Sequence, residues 1–223
     1  TIHNYTNQHH LAHACTAFYN SGFVDAINIV VDGAGSYDFD EDSWEETSIY
    51  YTKFPVSLDL LYQKRMSRQD GQQILDNVSV VDGKPGIVKM YEAVTEYLGH
   101  NAIEAGKTMG LSAYGKENPN IPDMMTNYIP NMNLFTQNYP SSSIINEEYL
   151  GLEHTDELEQ DLAYKVQKTS EEMMYHHIKK AIDLKPKCKN ITISGGFGLN
   201  CVANYKYLKQ FPDINFWIEP VAN

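Results

Sequence analysis

Apolar and polar positions along the chain recur at two spacings, near two and near 3.6 residues, and the predicted elements follow in a mixed α/β order. A first helix is predicted from about Asn7 to Asn20, with Asn7 as its N-cap and Gly22 as its stop. The β-branched run Ala26-Ile27-Asn28-Ile29-Val30-Val31 reads as a buried strand that breaks at Asp32-Gly33. Gly33-Ala34-Gly35-Ser36 then makes a tight turn into a returning strand, and Thr47 to Phe54 reads as a further strand punctuated by Pro55.

Beyond Ser67 the pattern weakens. Ser67 to Pro85 is polar with two Asp-Gly pairs and reads as a loop-rich excursion. Val88, Tyr91, Val94, Tyr97 and Leu98 have the spacing of an amphipathic helix over 87–98. With four prolines and many asparagines, Asn118 to Ser143 has the least structured composition. The strongest helical pattern runs from Asp156 to Ile182, with Asp156 or Thr155 as cap, Leu158, Leu162, Val166 and Met173 on one stripe, and Pro186 beyond its end. A short strand at 191–194, a helix from about Leu199 to Gln210 and a strand at 215–218 complete the order.

Composition narrows the class of protein. The 223 residues are 42% hydrophobic and 12% aromatic, enough for a sizeable core. The formal net charge of −12 disfavours nucleic-acid and anionic-membrane partners, which need a cationic footprint. It leaves room for small anions held by backbone N–H groups and a lysine. No apolar run approaches the roughly eighteen residues of a membrane span, and Thr1 to Tyr5 carry no leader pattern. Three widely spaced cysteines, Cys15, Cys188 and Cys201, fit a reducing compartment, so the expected location is the cytoplasm.

The sharpest local chemistry is His9-His10-Leu11-Ala12-His13. On a helix His9 and His13 project from one face at the spacing two imidazoles need to share a metal, although such pairs also serve as ordinary surface or core residues. His10 stands where zinc proteases carry a glutamate, which argues against that class. Asp32, just past a buried strand, lies where ligand sites collect in α/β sheets, and two histidines with one carboxylate suit iron(II) or a similar divalent metal. Asp32 is equally a common turn residue. Two glycine turns, Asp32 to Ser36 and Ser194 to Gly198, allow close backbone approach to a phosphate or nucleoside, yet neither matches a P-loop or dinucleotide fingerprint. Lys107, in Gly106 to Gly110, is a possible phosphate anchor or simply an exposed lysine. Cys201, early in a helix with no base beside it, reads as a packing residue, and His176-His177 read as structural or solvated. The acidic run 38–42 lacks the glycine and closing glutamate of a calcium loop and reads as a solvated turn.

Several of these segments together resemble one family, the O-carbamoyltransferases of the nodulation and antibiotic-biosynthesis type. In order they are Gln8 to Ala14, Val31 to Gly35, Phe54 to Tyr62, Tyr91 to Gly99, Glu104 to Gly115, Asp161 to Thr169, Ser194 to Asn204 and Glu219 to Asn223. The resemblance implies an α/β actin-like ATPase fold in its Kae1-like form, partial here, with mixed sheets and flanking helices. It implies a divalent metal, generally Fe(II), on His9, His13 and Asp32, and a nucleotide around Gly33, Gly35, Ser36, Lys107, Gly195, Gly196 and Asn200. His10 is the candidate general base. The implied reaction takes carbamoyl-adenylate, made from carbamoyl phosphate and ATP in a YrdC-like domain of the same polypeptide, and carbamoylates a hydroxyl of a small-molecule acceptor. A non-catalytic nucleotide- or metal-binding module and a tRNA threonylcarbamoyl-transferase-like enzyme are the alternatives. The family's opening ribbon, the metal-binding Asp after its Pro-x-Ala-Asn element and the YrdC-like domain have no counterpart in these residues. Residues 1–223 are therefore expected to be an interior piece of the carbamoyl-transfer domain, inactive alone. The stretch Gln63 to Val88 departs from the family's pattern.

Overall fold

The computed structural model describes residues 8–55, 57–68, 71–75, 77–138 and 142–221. Two compact units are formed, one from Thr1–Gly83 with His177–Asn223 and the other from Lys84–His176.

In the first unit α1 (His9–Ser21) ends at Gly22, whose left-handed φ of 70° closes the helix. The expected cap Asn7 lies outside the described residues; Gln8 holds the N-cap position. Then come β1 (Asp25–Val31), β2 (Tyr37–Asp38), β3 (Ser43–Lys53), β4 (Ser57–Ser67), β5 (Gln72–Leu75) and β6 (Ser79–Asp82). Among the described residues these join β-strands from the end of the chain in one eight-stranded mixed sheet. In the second unit lie α2 (Ile87–Tyr97), a short 3-10 turn at Ala102–Glu104, α3 (Ala105–Leu111), β7 (Met125–Thr126), β8 (Ile129–Pro130), β9 (Phe135–Asn138), β10 (Ser142–Ile145) and α4 (Glu147–Leu150). Helix α5 (Asp156–Leu184) starts in the second unit and has its last turns in the first. There follow β11 (Asn190–Ser194), a 3-10 turn at Gly196–Leu199, α6 (Cys201–Gln210) and β12 (Asn215–Ile218).

The large sheet has the order β12-β11-β1-β3-β4-β6-β5, with β2 beside β3. Strands β1, β3 and β4 form an antiparallel meander, while β1, β11 and β12 run parallel. Parallel neighbours require a crossover, and α6 supplies it between β11 and β12. Six of the seven β1 residues are buried, as befits a strand at the middle of a sheet. Asn28, the polar member of that run, is satisfied there. Its Nδ2 donates to Thr52 Oγ1 and its Oδ1 accepts from Thr192 Oγ1, both at 2.8 Å, which ties the register of three strands. Helix α1 lies on this face, where Ala14 and Leu11 pack with Val30, Tyr50, Leu58 and Leu60.

The sequence pattern misplaced part of this sheet. β4 was not evident in it as an eleven-residue strand. Within the expected loop Ser67 to Pro85 the structure has β5 and β6, with β6 parallel to β4. Charge carried inward hid β4 and β6, where Lys64 lies 2.7 Å from Glu46 and 3.8 Å from Asp82, while β5 is a short, largely exposed strand.

In the second unit the proline-rich stretch contains two small hairpins, β7–β8 and β9–β10. The first turns through Asn127 and Tyr128, both at positive φ as a two-residue hairpin of this hand requires. The Tyr128 ring stacks on His176 with centroids 4.0 Å apart. Thr155 caps α5, its Oγ1 accepting the Leu158 N–H at 3.2 Å. No helix among the described residues is long and apolar enough to cross a membrane.

Candidate functional site

Asp32 stands one residue past β1, and its two carboxylate oxygens serve different partners. Oδ1 accepts the N–H of Gly33 at 2.8 Å and of Gly196 at 3.3 Å. It thereby joins the two glycine turns that follow the adjacent parallel strands β1 and β11. Oδ2 faces α1, 2.7 Å from His9 Nε2 and 3.6 Å from His13 Nε2. Burial opposes the Asp32 charge, but the nearby His13 and His9 imidazoles and the Gly33 N–H outweigh it and hold the carboxyl well below the usual carboxylate range.

His9 and His13 are one helical turn apart, and their Nε2 atoms lie 3.1 Å from each other. The three donor atoms all fall within 4.8 Å of one another. Two ligands each about 2.1 Å from one ion and at right angles stand roughly 3 Å apart, and the three separations bracket that figure. Two imidazoles and a carboxylate are a donor set that suits a divalent transition metal. His9 keeps 46% of its side chain exposed, against 13% for His13 and Asp32, so the set opens to solvent on the His9 side.

The second glycine turn leaves no room for side chains. Gly195 has φ +82°, and a Cβ there would lie 2.4 Å from the Val31 carbonyl oxygen. The first turn faces inward. A Cβ on Gly35 would meet His10 Cδ2 at 2.7 Å and Glu45 at 2.8 Å, and Ser36 Oγ accepts the His9 N–H at 2.9 Å. Asn200 caps α6 through the Ala203 N–H. Lys107 belongs to the second unit, exposed on α3 and ion-paired with Glu104. Cys201 is exposed.

His10 turns to the sheet. It is fully buried, its Nδ1 is 2.8 Å from Ser48 Oγ, and its Nε2 has no partner among the described residues. Burial lowers its pKa to about 4, so the ring is neutral.

The carbamoyltransferase N-terminus family matches residues 3–223. The chain belongs to that family.

A curated relative, Uncharacterized protein sll1178 of Synechocystis sp., is 24% identical over 234 residues, covering 97% of this chain and 34% of that protein. The chain thus spans about a third of the length of the curated relative it matches. Among solved structures, full-length HypF in its phosphate- and nucleotide-bound form aligns with a TM-score of 0.52 at 12% identity, over 94% of this chain and 39% of that one. This likeness is one of fold, in keeping with the mixed α/β architecture.

In this carbamoyltransferase-family chain the sequence pattern singled out His9, His13 and Asp32, and the fold brings them together. It missed the polar layer behind them. Ser48 Oγ also accepts Gln63 Nε2 at 3.1 Å. Arg65 donates to Ser43 Oγ, to Gln63 Oε1 and to the carbonyls of Ser36 and Ser43. Glu45 accepts from His10, Ser36 and Gln63. Their only signal was polar positions in the strands, Ser43, Glu45 and Ser48 on β3 and Gln63 and Arg65 on β4, which read as a solvated face. Here that face is covered by α1.

Proposed function

We propose that this chain is the metal-holding part of an enzyme that transfers a carbamoyl group from carbamoyl-adenylate to a hydroxyl of a small-molecule acceptor, giving a carbamate ester. The observation that carries this reading is the clustering of His9, His13 and Asp32 at the end of β1 in a member of a carbamoyltransferase family. These residues would hold one divalent metal, Fe(II) on the family resemblance. Such an ion supplies Lewis-acid polarisation of an oxygen ligand.

The chain's own residues do the rest. Asp32 contributes a permanent negative charge and, through Oδ1, fixes the two glycine turns against each other. In this reading the adenylate phosphate approaches the turn after β11 at Gly196, which is only half-buried, while Gly195 packs against Val31. In the transfer, the acceptor oxygen bonds to the carbamoyl carbon, the bond to the adenylate oxygen breaks, AMP leaves with that electron pair and the hydroxyl proton is lost. His10, neutral and buried on Ser48, supports α1 from beneath in this reading. HypF was solved with phosphate and nucleotide, and the shared fold supports the reading of this chain as a nucleotide-binding, actin-like domain of the Kae1-like kind. The net charge of −12 favours a small acceptor over tRNA. Carbamoyl phosphate and ATP are the donors, activated in a YrdC-like domain of the same polypeptide.

The test supplies labelled carbamoyl phosphate and ATP to the intact protein. Pyrophosphate release and metal-dependent transfer of label to a hydroxyl compound are expected. Neither appearing would favour a non-catalytic binding module.

A further inference from the structure

Helix α1 begins without a cap of its own. Gln8 makes no side-chain hydrogen bond to the first turn, and that turn holds no acidic residue. The first N–H groups of a helix lack intrahelical acceptors and form the positive end of its dipole, so a nearby anion stabilises them. Here the sheet supplies the acceptors. Ser36 Oγ takes the His9 N–H at 2.9 Å, and Glu45 Oε2 takes the His10 N–H at 3.3 Å.

Glu45 is buried and also holds the turn that leads away from Asp32. Its Oε2 accepts the Ser36 N–H at 2.9 Å. Its backbone carbonyl accepts the Gly35 N–H at 2.8 Å, and its own N–H donates to the Ser36 carbonyl at 3.1 Å. Its Oε1 accepts Gln63 Nε2 at 3.3 Å, which anchors the carboxylate to β4. Gly35 has no Cβ to hold these groups apart. One side chain therefore grips both the start of the helix that carries His9 and the turn that follows Asp32.

We propose that Glu45 is a positioning residue for the metal set, a helix cap delivered from β3 that fixes the His9 imidazole against the Asp32 carboxylate. This rests on the reading of His9, His13 and Asp32 as metal ligands. Glu45 itself touches neither metal nor substrate. A purely structural role would lower the melting temperature and leave metal binding by the folded protein unchanged. A positioning role moves the affinity and the ligand geometry, and supporting residues of metal sites commonly matter by about 10–100-fold.

Co(II) is the probe, because its visible absorption reports ligand geometry as well as occupancy. Titration of the intact protein is expected to show about 10–100-fold weaker binding in Glu45→Ala, with an altered spectrum. Glu45→Gln, whose amide oxygen still accepts N–H groups, is expected to recover most of the affinity. Wild-type affinity and spectrum in Glu45→Ala would overturn the proposal. Should that variant not fold, Glu45→Gln combined with Ser36→Ala takes its place, with roughly tenfold weakening expected and unchanged binding overturning it. His9→Ala separates metal binding by the set from its positioning by Glu45. Binding independent of His9 removes the metal reading and the positioning role with it. Binding that needs His9 but ignores Glu45 removes the positioning role alone.

Discussion

His9 Nε2 and Asp32 Oδ2 meet at 2.7 Å across 23 positions of sequence, one on the first turn of a helix and the other just past the central strand. The contact depends on β3. At Glu46 that strand has an extra residue, a bulge between the pairs Glu45–Arg65 and Thr47–Lys64. The Glu46 carbonyl accepts the Asp32 N–H at 3.0 Å while Glu45 holds the start of α1. Helix and strand end are thus set by neighbouring residues of one strand.

Gly195→Ala is expected to be far more damaging than Gly22→Ala. Both glycines have left-handed φ, which costs an L-residue about 1–2 kcal/mol. At Gly22 a Cβ would meet nothing within 4 Å, whereas at Gly195 it would strike the Val31 carbonyl. Urea denaturation should show a loss of about 1 kcal/mol for the first. For the second, strain plus overpacking should bring it to roughly 3 kcal/mol. Equal losses would contradict the account of that turn.

Lys64→Met should destabilise by about 3–5 kcal/mol, because it strands Glu46 and Asp82 in the interior. The penalty should depend on pH. Burial raises the Glu46 carboxyl pKa, and Lys64 partly pulls it back. Without Lys64 the native pKa rises further above the unfolded value. Such a group's stability is present below the unfolded pKa and is lost as pH rises through the folded one. The deficit measured at pH 5 should be smaller than at pH 8. A deficit independent of pH would show that Glu46 is not held by Lys64.

His10 gives the opposite slope. Its pKa is about 4 in the folded chain against 6.5 unfolded. Between those values the unfolded state binds a proton that the native state refuses. Its contribution is whole above pH 6.5 and falls as pH drops toward 4, by roughly 3 kcal/mol in all. In metal-free protein, His10→Asn should flatten the stability profile over that range relative to wild type. Parallel profiles would mean that His10 is not buried neutral.

Most elements were legible where apolar residues recur at helical spacing or run together as a β-branched strand. The helix at 87–98, the long helix from 156 and the strands at 26–31, 191–194 and 215–218 all stand in the structure within a few residues. β4 was not legible, because Gln63 and Arg65 are polar yet buried and partnered, and Lys64 between them is half-buried in an ion pair. Histidine spacing revealed the His9–His13 pair, since helical geometry alone places i and i+4 together. Glu45 could not be read in the same way. Its importance lies in backbone N–H groups that carry no sequence signature, brought to it by a fold that pairs residue 45 with residues 10 and 36.

The central claim is that His9, His13 and Asp32 hold a divalent metal used in carbamoyl transfer. Metal analysis of the intact protein beside the His9→Ala/His13→Ala double variant tests it most directly. About one divalent ion per chain is expected in wild type and almost none in the variant; equal occupancy in the two proteins would contradict the assignment.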